Sequence, residues 1–175
     1  MGYKTVRAAV RHYLEGANIP AITRWENDAP WYLDGANWKL APGQQYGAMA
    51  FPHIDSSMES RVALPAVTGM KAVRYEVSIL FQYQYIIPTR LNGLEEDDWV
   101  VGVDSIIDGL KERMRADPAL GVGSPVVGPD GTVLEAAQDP NDLEVLMDLP
   151  AYDPNGGRLY LLGRLTTHVT EIVIG

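Results

Sequence analysis

The sequence predicts an α+β fold, in which a mainly antiparallel sheet with one long strand is packed by two amphipathic helices. Three observations predict it: a period of two along residues 73–88, helical spacing of apolar residues in two other stretches, and an element order of helix, strands, helix, strands. The length of 175 residues and a hydrophobic content of 46% are typical of one globular domain, which we place at residues 1–175.

The first predicted element is a helix over residues 5–15. Five apolar residues fall at helical spacing there: Val6, Ala9, Val10, Tyr13 and Leu14. Gly16 follows directly, in a position where glycine commonly ends a helix. A short strand is predicted next, in the segment AITRW at residues 21–25. Lysine and arginine are interleaved with the apolar residues of the first helix, which argues against a secretory signal.

An irregular, tryptophan-rich excursion is predicted at about residues 25–51. It contains Trp31 and Trp38 together with several prolines and glycines. A segment of this length without regular structure is uncommon in a compact domain and usually has a purpose. The aromatic residues could form a platform for stacking sugars, or they could pack over the core or into a neighbouring subunit. We favour packing, because aromatic residues are enriched at the centres of protein interfaces.

Two strands are predicted in residues 59–87, with a turn near Thr68 and Gly69, and the second of them is the long strand. About fourteen residues in an extended conformation span about 46 Å, whereas a domain of this size is about 40 Å across. Its apolar face predicts that Tyr75, Val77, Ile79 and Phe81 point into the core. Because the strand is longer than the domain, its distal end should lack partners within the chain, which makes three residues candidates for a subunit interface: Tyr83, Tyr85 and Ile87.

The second helix is predicted from Asp97, a plausible N-terminal cap, to about residue 115. Its apolar stripe consists of Trp99, Val100, Val103, Ile106, Ile107, Leu110 and Met114. Asp117 and Pro118 end it. A long loop is then predicted at about residues 121–145. Closing strands follow, and two of them are joined by a turn at residues 153–157.

Composition excludes several kinds of chemistry. The chain has no cysteine, so disulfides, thiolate metal sites and a cysteine nucleophile are all excluded. Its net charge of −9 argues against electrostatic binding of nucleic acid, which needs a basic face, and fits a surface that nucleic acid passes without adhering. The three histidines, His12, His53 and His168, are scattered and lack the spacing of metal ligands.

The remaining candidate motifs also favour structural roles. The glycines of LGVGSPVVGPDG follow a helix and alternate with prolines, whereas a dinucleotide-binding loop follows a strand and opens a helix. The carboxylates of LEEDDW are typical of a helix N-terminus. Those of DPNDLE could bind a hard cation, but their spacing does not match a calcium loop. We therefore predict no catalytic residue, no metal, no cofactor and no enzymatic activity.

Taken in order, the predicted elements are similar to those of a known family. VRAAVRHYLEG, IPAITRW, the strand pair ESRVALPAVTGMKAVRYEVSILFQYQY, the helix DSIIDGLKERMRADPALG and the closing RLYLLGRLTTHVTEIVI follow one another along nearly all 175 residues. In this pattern the chain resembles the tail terminator, or tail-completion, proteins of long-tailed bacteriophages. The family has no catalytic signature that could be carried over to particular residues.

The resemblance implies a virion protein that forms a homo-oligomeric ring, expected to be a hexamer, at the head-proximal end of the tail. Its partners would be further copies of itself, the tail tube protein and the head–tail connector protein, and it would assemble in the host cytoplasm. DNA would pass through an acidic lumen without specific binding, and no membrane would be involved. Two alternatives stay open: a neck or head-closure protein of the same assembly, and a carbohydrate-binding module or hydrolase.

Overall fold

The computed structural model describes residues 3–28, 40–61, 70–87, 98–116, 126–127, 133–134, 143–153 and 157–174. Within these residues the chain forms two helices, α1 (Tyr3–Glu15) and α2 (Asp98–Ala116). It also forms eight strands: β1 (Ile22–Trp25), β2 (Tyr46–Arg61), β3 (Met70–Ile86), β4 (Val126–Val127), β5 (Val133–Leu134), β6 (Glu144–Met147), β7 (Ala151–Asp153) and β8 (Arg158–Ile174). The prediction of an α+β fold is confirmed.

Six of the strands form one sheet. Their order is β1-β2-β3-β8-β6, and β7 pairs with β8 beside β6. Every pair in this sheet is antiparallel except β1 with β2, which is parallel, so the prediction of a mainly antiparallel sheet is confirmed. Strands β4 and β5 pair separately as a small hairpin within the predicted long loop.

Three strands are long, where the sequence predicted one. β2 has 16 residues, and β3 and β8 have 17 each. β3 pairs with β8 over its whole length and with β2 over nearly all of it. The predicted excursion at 25–51 is therefore too long at its C-terminal end, because residues 46–51 already belong to β2. The run of apolar and small residues at 48–52 allows this stretch to be buried on both faces of the sheet.

The apolar set of β3 is buried from residue 75 to residue 85, as the alternation predicts: Tyr75, Val77, Ile79, Phe81, Tyr83 and Tyr85. Burial itself does not alternate, because Ser78, Gln82 and Gln84 of the polar set are buried too, and Ile87 is only partly buried. The same core contains residues of α1 (Val6, Val10, Tyr13, Leu14) and of α2 (Val103, Ile106, Leu110, Met114). We call this side of the sheet the helix face and the opposite side the open face.

The C-terminal ends of the two helices are held together by Tyr13 and Arg113. The Tyr13 hydroxyl donates to the backbone oxygen of Arg113 at 2.8 Å, and Nε of Arg113 donates to the backbone oxygen of Tyr13 at 3.2 Å. The guanidinium carbon also lies 4.0 Å from the centre of the tyrosine ring, a cation–π contact. This reciprocal pair orients α2 relative to α1.

Several predicted features fall on residues outside the described ones: the cap at Asp97, the end of the helix at residues 117–118 and most of the loop at 121–145. Residues 154–156 of the predicted turn at 153–157 also lie outside the described residues, while Gly157 has a φ of 57°, which glycine adopts readily. Among the described residues, neither helix is long and apolar enough to cross a membrane.

Candidate functional site

The predicted free end of the long strand is not free. Tyr83 pairs with Ala48 of β2 and with Leu161 of β8, and Tyr85 pairs with Tyr46 and Leu159. The expectation that this end lacks partners within the chain is therefore wrong. Strand length alone does not say which end extends beyond the core, and here the end rich in aromatic residues lies beneath the helices.

The side chains at this end are buried as well. Tyr83 is 1% exposed and Tyr85 is 5% exposed, and the Tyr85 hydroxyl accepts a hydrogen bond from Nε2 of Gln45 at 3.2 Å. Burial raises the pKa of the Tyr83 hydroxyl above its ordinary value, and the neighbouring Tyr46 and Tyr85 raise it further. In the single chain these two rings therefore offer almost no surface to a second subunit.

The other three interface candidates differ in position. Ile87 is partly buried against the core, and its backbone N–H donates to the backbone oxygen of Gly157 at 2.8 Å. Trp31 and Trp38 lie outside the described residues. Trp25, at the end of β1, is partly buried and packs against the core, which is the packing role that we favoured for the tryptophans.

The exposed end of the sheet is the opposite one. Residues 56–61 of β2 pair with β3, and residues 70–74 of β3 pair with 170–174 of β8. We call these three segments the arm. All side chains from residue 56 to residue 60 are exposed, including Met58 at 64%, and so are those of Lys71 and Arg74. An ion pair joins β3 to β2 on the surface of the arm, with 2.7 Å between Nζ of Lys71 and Oε1 of Glu59.

The base of the arm is fixed by a β-bulge at Asp55. The register shifts between Ile54 and Ser56, so Asp55 has no partner opposite it on β3. An extra residue of this kind bends a strand and redirects a side chain. The carboxylate of Asp55 accepts a hydrogen bond from the hydroxyl of Ser78 and lies 3.0 Å from Nη2 of Arg164.

Ser78 is the centre of this polar network on the open face. Its hydroxyl is fully buried, lies 3.2 Å from that of Thr166 and accepts a hydrogen bond of 2.8 Å from Nε of Arg164. Each charged group in the network has a partner of opposite sign. A paired and hydrogen-bonded cluster of this kind is typical of a structural role, because none of its members is left available for chemistry.

A second ion-paired cluster joins α1 to the edge of the sheet. The carboxylate of Asp28 contacts Nη1 of Arg7 and lies 2.9 Å from Nδ1 of His53. Tyr3, at the start of α1, also reaches the base of the arm, with 2.6 Å between its hydroxyl and that of Ser57. These contacts seat the N-terminal half of α1 beside β2.

The open face also carries an apolar groove of about 360 Å³. Its lining includes one apolar side chain from each of β2, β3, β6 and β8, namely Phe51, Leu80, Leu146 and Leu162. Gln82, Asp148 and Arg164 are its polar residues. Sequence reasoning missed this groove, although two signals were present. Leu80 interrupts the polar set of the long strand, and the apolar run at 48–51 predicts burial on both faces.

No group of three or more histidine, aspartate or glutamate residues in the described part of the chain could hold a metal ion. His12, His53 and His168 lie on α1, β2 and β8 respectively, and the carboxylate clusters at 94–99 and 139–144 fall mostly outside the described residues. The absence of a metal, a cofactor and catalysis stays a prediction.

No model of a known protein family matches the chain, and no curated protein is similar enough to count as a relative. A function must therefore be inferred from the residues and their geometry.

Proposed function

We propose that the protein is a structural subunit that assembles head-to-tail into a ring, expected to be a hexamer, and caps a phage tail tube. The ring would end polymerisation of the tube and provide the surface for attachment of the head. The observation that carries this proposal is the arm. The six residues 56–61 of β2 in an extended conformation reach about 20 Å, and the side chains of residues 56–60 gain little burial from their own chain.

An exposed arm of regular strands favours an assembling protein. Ordering a residue costs about 1–2 kcal/mol of backbone entropy, which burial normally offsets. At residues 56–60, Lys71 and Arg74 of the arm, backbone pairing is present but burial of side chains is small, so contact with a neighbouring subunit would supply the missing burial. In the described residues, the outer edge of β2 pairs with β1 only at residues 48–50, which leaves an edge that another chain could extend.

A head-to-tail ring needs two different surfaces on each subunit. The second candidate is the apolar segment around β6 and β7, where Leu149 is 90% exposed and Met147 and Tyr152 are also exposed. Contiguous exposed apolar residues commonly mark a site of protein interaction. The arm and this segment lie on different strands, so one subunit could present each of them to a different neighbour.

The experiment that tests this function uses purified tail tubes without a cap and purified heads with an open connector. We expect the protein to bind one end of the tubes, seen by electron microscopy, and to stop further growth when tube subunits are added. Binding to heads but not to tubes would instead assign the protein to the neck or head-closure class. Binding to neither particle would contradict a role in head–tail assembly.

A further inference from the structure

The groove on the open face has exposed apolar walls on its outer side. Leu146 of β6 is 52% exposed and Leu162 of β8 is 48% exposed, and both line the groove. Exposed apolar side chains gathered in one cleft are typical of a surface that another molecule covers. Leu146 also belongs to the apolar segment around β6 and β7, so the groove is continuous with the second of the two surfaces proposed for ring contacts.

The rim of the groove carries negative charge. Glu144 and Asp148 lie two residues before and two residues after Leu146, so the three side chains are on the same face of the sheet. Both acidic residues are exposed. Among the residues that line the groove, the basic one is Arg164, and its guanidinium lies 3.0 Å from the carboxylate of Asp55. The rim therefore offers two carboxylates to a cation, whereas its own cation is already paired.

The arm carries the complementary groups. Met58 of β2 is paired with Arg74 of β3, so the two side chains are neighbours on one face of the arm, and both are exposed. Their β-carbons are about 5 Å apart, and each rim carboxylate is about 7 Å along its strand from Leu146. With the methionine against Leu146, the longer arginine side chain therefore reaches a rim carboxylate.

We propose that the arm of one subunit docks in the groove of its neighbour, with Met58 against Leu146 and Leu162 and with Arg74 beside Glu144 and Asp148. The inference rests on the proposed ring, and it names the contact that joins its subunits. An unbranched methionine suits this contact, because its flexible side chain fills irregular apolar gaps.

A chain cannot fill its groove with its own arm. Met58 is level with Thr170 of β8, through Arg74, while Leu146 is level with Arg164 of the same strand. The six residues of extended strand from 164 to 170 span about 20 Å. The occupant of the groove is therefore the arm of a second copy.

Introduced cysteines test the contact, because the chain has none of its own. Met58→Cys and Leu146→Cys are combined in one chain, which is then treated with oxidised glutathione. A disulfide requires α-carbons within about 7 Å, so each bond must join two chains. We expect a ladder of cross-linked chains on a non-reducing gel that ends at the size of the ring. Val101→Cys combined with Leu146→Cys is the matched control, on the exposed side of α2, and should give no ladder.

The outcomes separate this contact from the proposed function. Mixing the two single variants should give cross-linked dimers only, because each chain then has one reactive surface. Rings seen by electron microscopy without a ladder would overturn the contact and leave the ring standing. Met58→Cys protein that cross-links with itself as fast as in the mixture would place arm against arm, which also overturns it. A protein that stays monomeric contradicts both the contact and the ring.

Charge reversal tests the same contact without cysteines. Arg74→Glu should raise the concentration needed for ring formation by at least about fivefold, because it places like charges together. Adding Asp148→Lys to that variant should restore most of the loss. Arg115→Glu is the control, since it makes the same change at an exposed position of α2 and should have no effect. No loss with Arg74→Glu, or no recovery in the double variant, would overturn the pairing of Arg74 with this rim.

Discussion

The hydroxyl of Tyr83 lies so close to Gly102 that a β-carbon at residue 102 would overlap it, so Gly102 lets α2 approach β3 more closely than a larger residue would allow. This contact joins β3 to α2 at the strand end that the sequence predicted to lack partners within the chain. The hydroxyl is buried there and has no hydrogen-bond partner among the residues that the structure describes. The contact therefore combines close packing with an unsatisfied polar atom, and the two effects can be separated by mutation.

The first prediction is that Gly102→Ala destabilises the protein although alanine is the better helix former. Helix propensity favours alanine by about 1 kcal/mol, but the added methyl group would overlap the hydroxyl and ring of Tyr83 in a packed core, at a cost of about 1–3 kcal/mol. We expect a net loss of up to about 2 kcal/mol in a denaturant titration. Tyr83→Phe removes the nearest atom, so the same glycine substitution should cost less in that background. A stabilised Gly102→Ala variant would show that the contact is looser than described.

The second prediction concerns alkaline pH. Because the pKa of Tyr83 is raised in the folded state, its neutral form is favoured there, while in the unfolded chain it ionises near its ordinary value of about 10. The stabilisation is complete below about pH 10 and is lost as the pH rises toward the folded-state pKa. The wild type should therefore lose more unfolding free energy than Tyr83→Phe between about pH 9 and about pH 11. Parallel curves for the two proteins would contradict this assignment.

The third prediction concerns the network at the base of the arm. Ser78→Ala should cost about 1–3 kcal/mol, because it removes the hydroxyl that donates to Asp55 and accepts from Arg164 in a buried site. The matched control is Ser60→Ala in the exposed arm, whose hydroxyl makes one long hydrogen bond of 3.4 Å to the oxygen of Ala72. That change should stay within about 0.5 kcal/mol of the wild type. Equal effects at the two serines would mean that the network does not contribute to stability.

The fourth prediction is that an exposed apolar residue of the arm is needed for ring assembly, whereas an exposed apolar residue elsewhere is not. Met58→Glu places a charge on the arm and should give a folded monomer that does not form rings. Val101→Glu makes the same kind of change on the exposed side of α2, where 62% of the side chain is exposed, and should leave assembly intact. Size-exclusion chromatography with circular dichroism measures both properties. Normal rings from the Met58 variant would remove the arm from the interface.

The sequence predicted the parts of the fold that depend on local periodicity. The alternation of β3 assigned the buried set from Tyr75 to Tyr85, and the spacing in α2 assigned Val103, Ile106 and Leu110 to the core. Each pattern arises because one side of a single element is buried. It can therefore be recognised without knowing which other element covers that side.

Features that depend on distant partners were not predictable in this way. Gln84 belongs to the polar set of β3 but is fully buried, which the alternation along the strand does not predict. The bulge at Asp55 follows from the pairing of β2 with β3, and no local pattern marks it. The position of the arm was missed for the same reason: the alternation continues through both ends of β3, and only the placement of the helices determines which end is exposed.

The measurement that tests the central claim most directly is the native mass of the purified protein at several concentrations, with electron microscopy of any assembly. The claim predicts a closed species of about 115 kDa, six chains of 19.2 kDa, that appears as a ring with a central channel and does not grow further at high concentration. A species of 19.2 kDa at every concentration, unchanged when tail tubes are added, would contradict it.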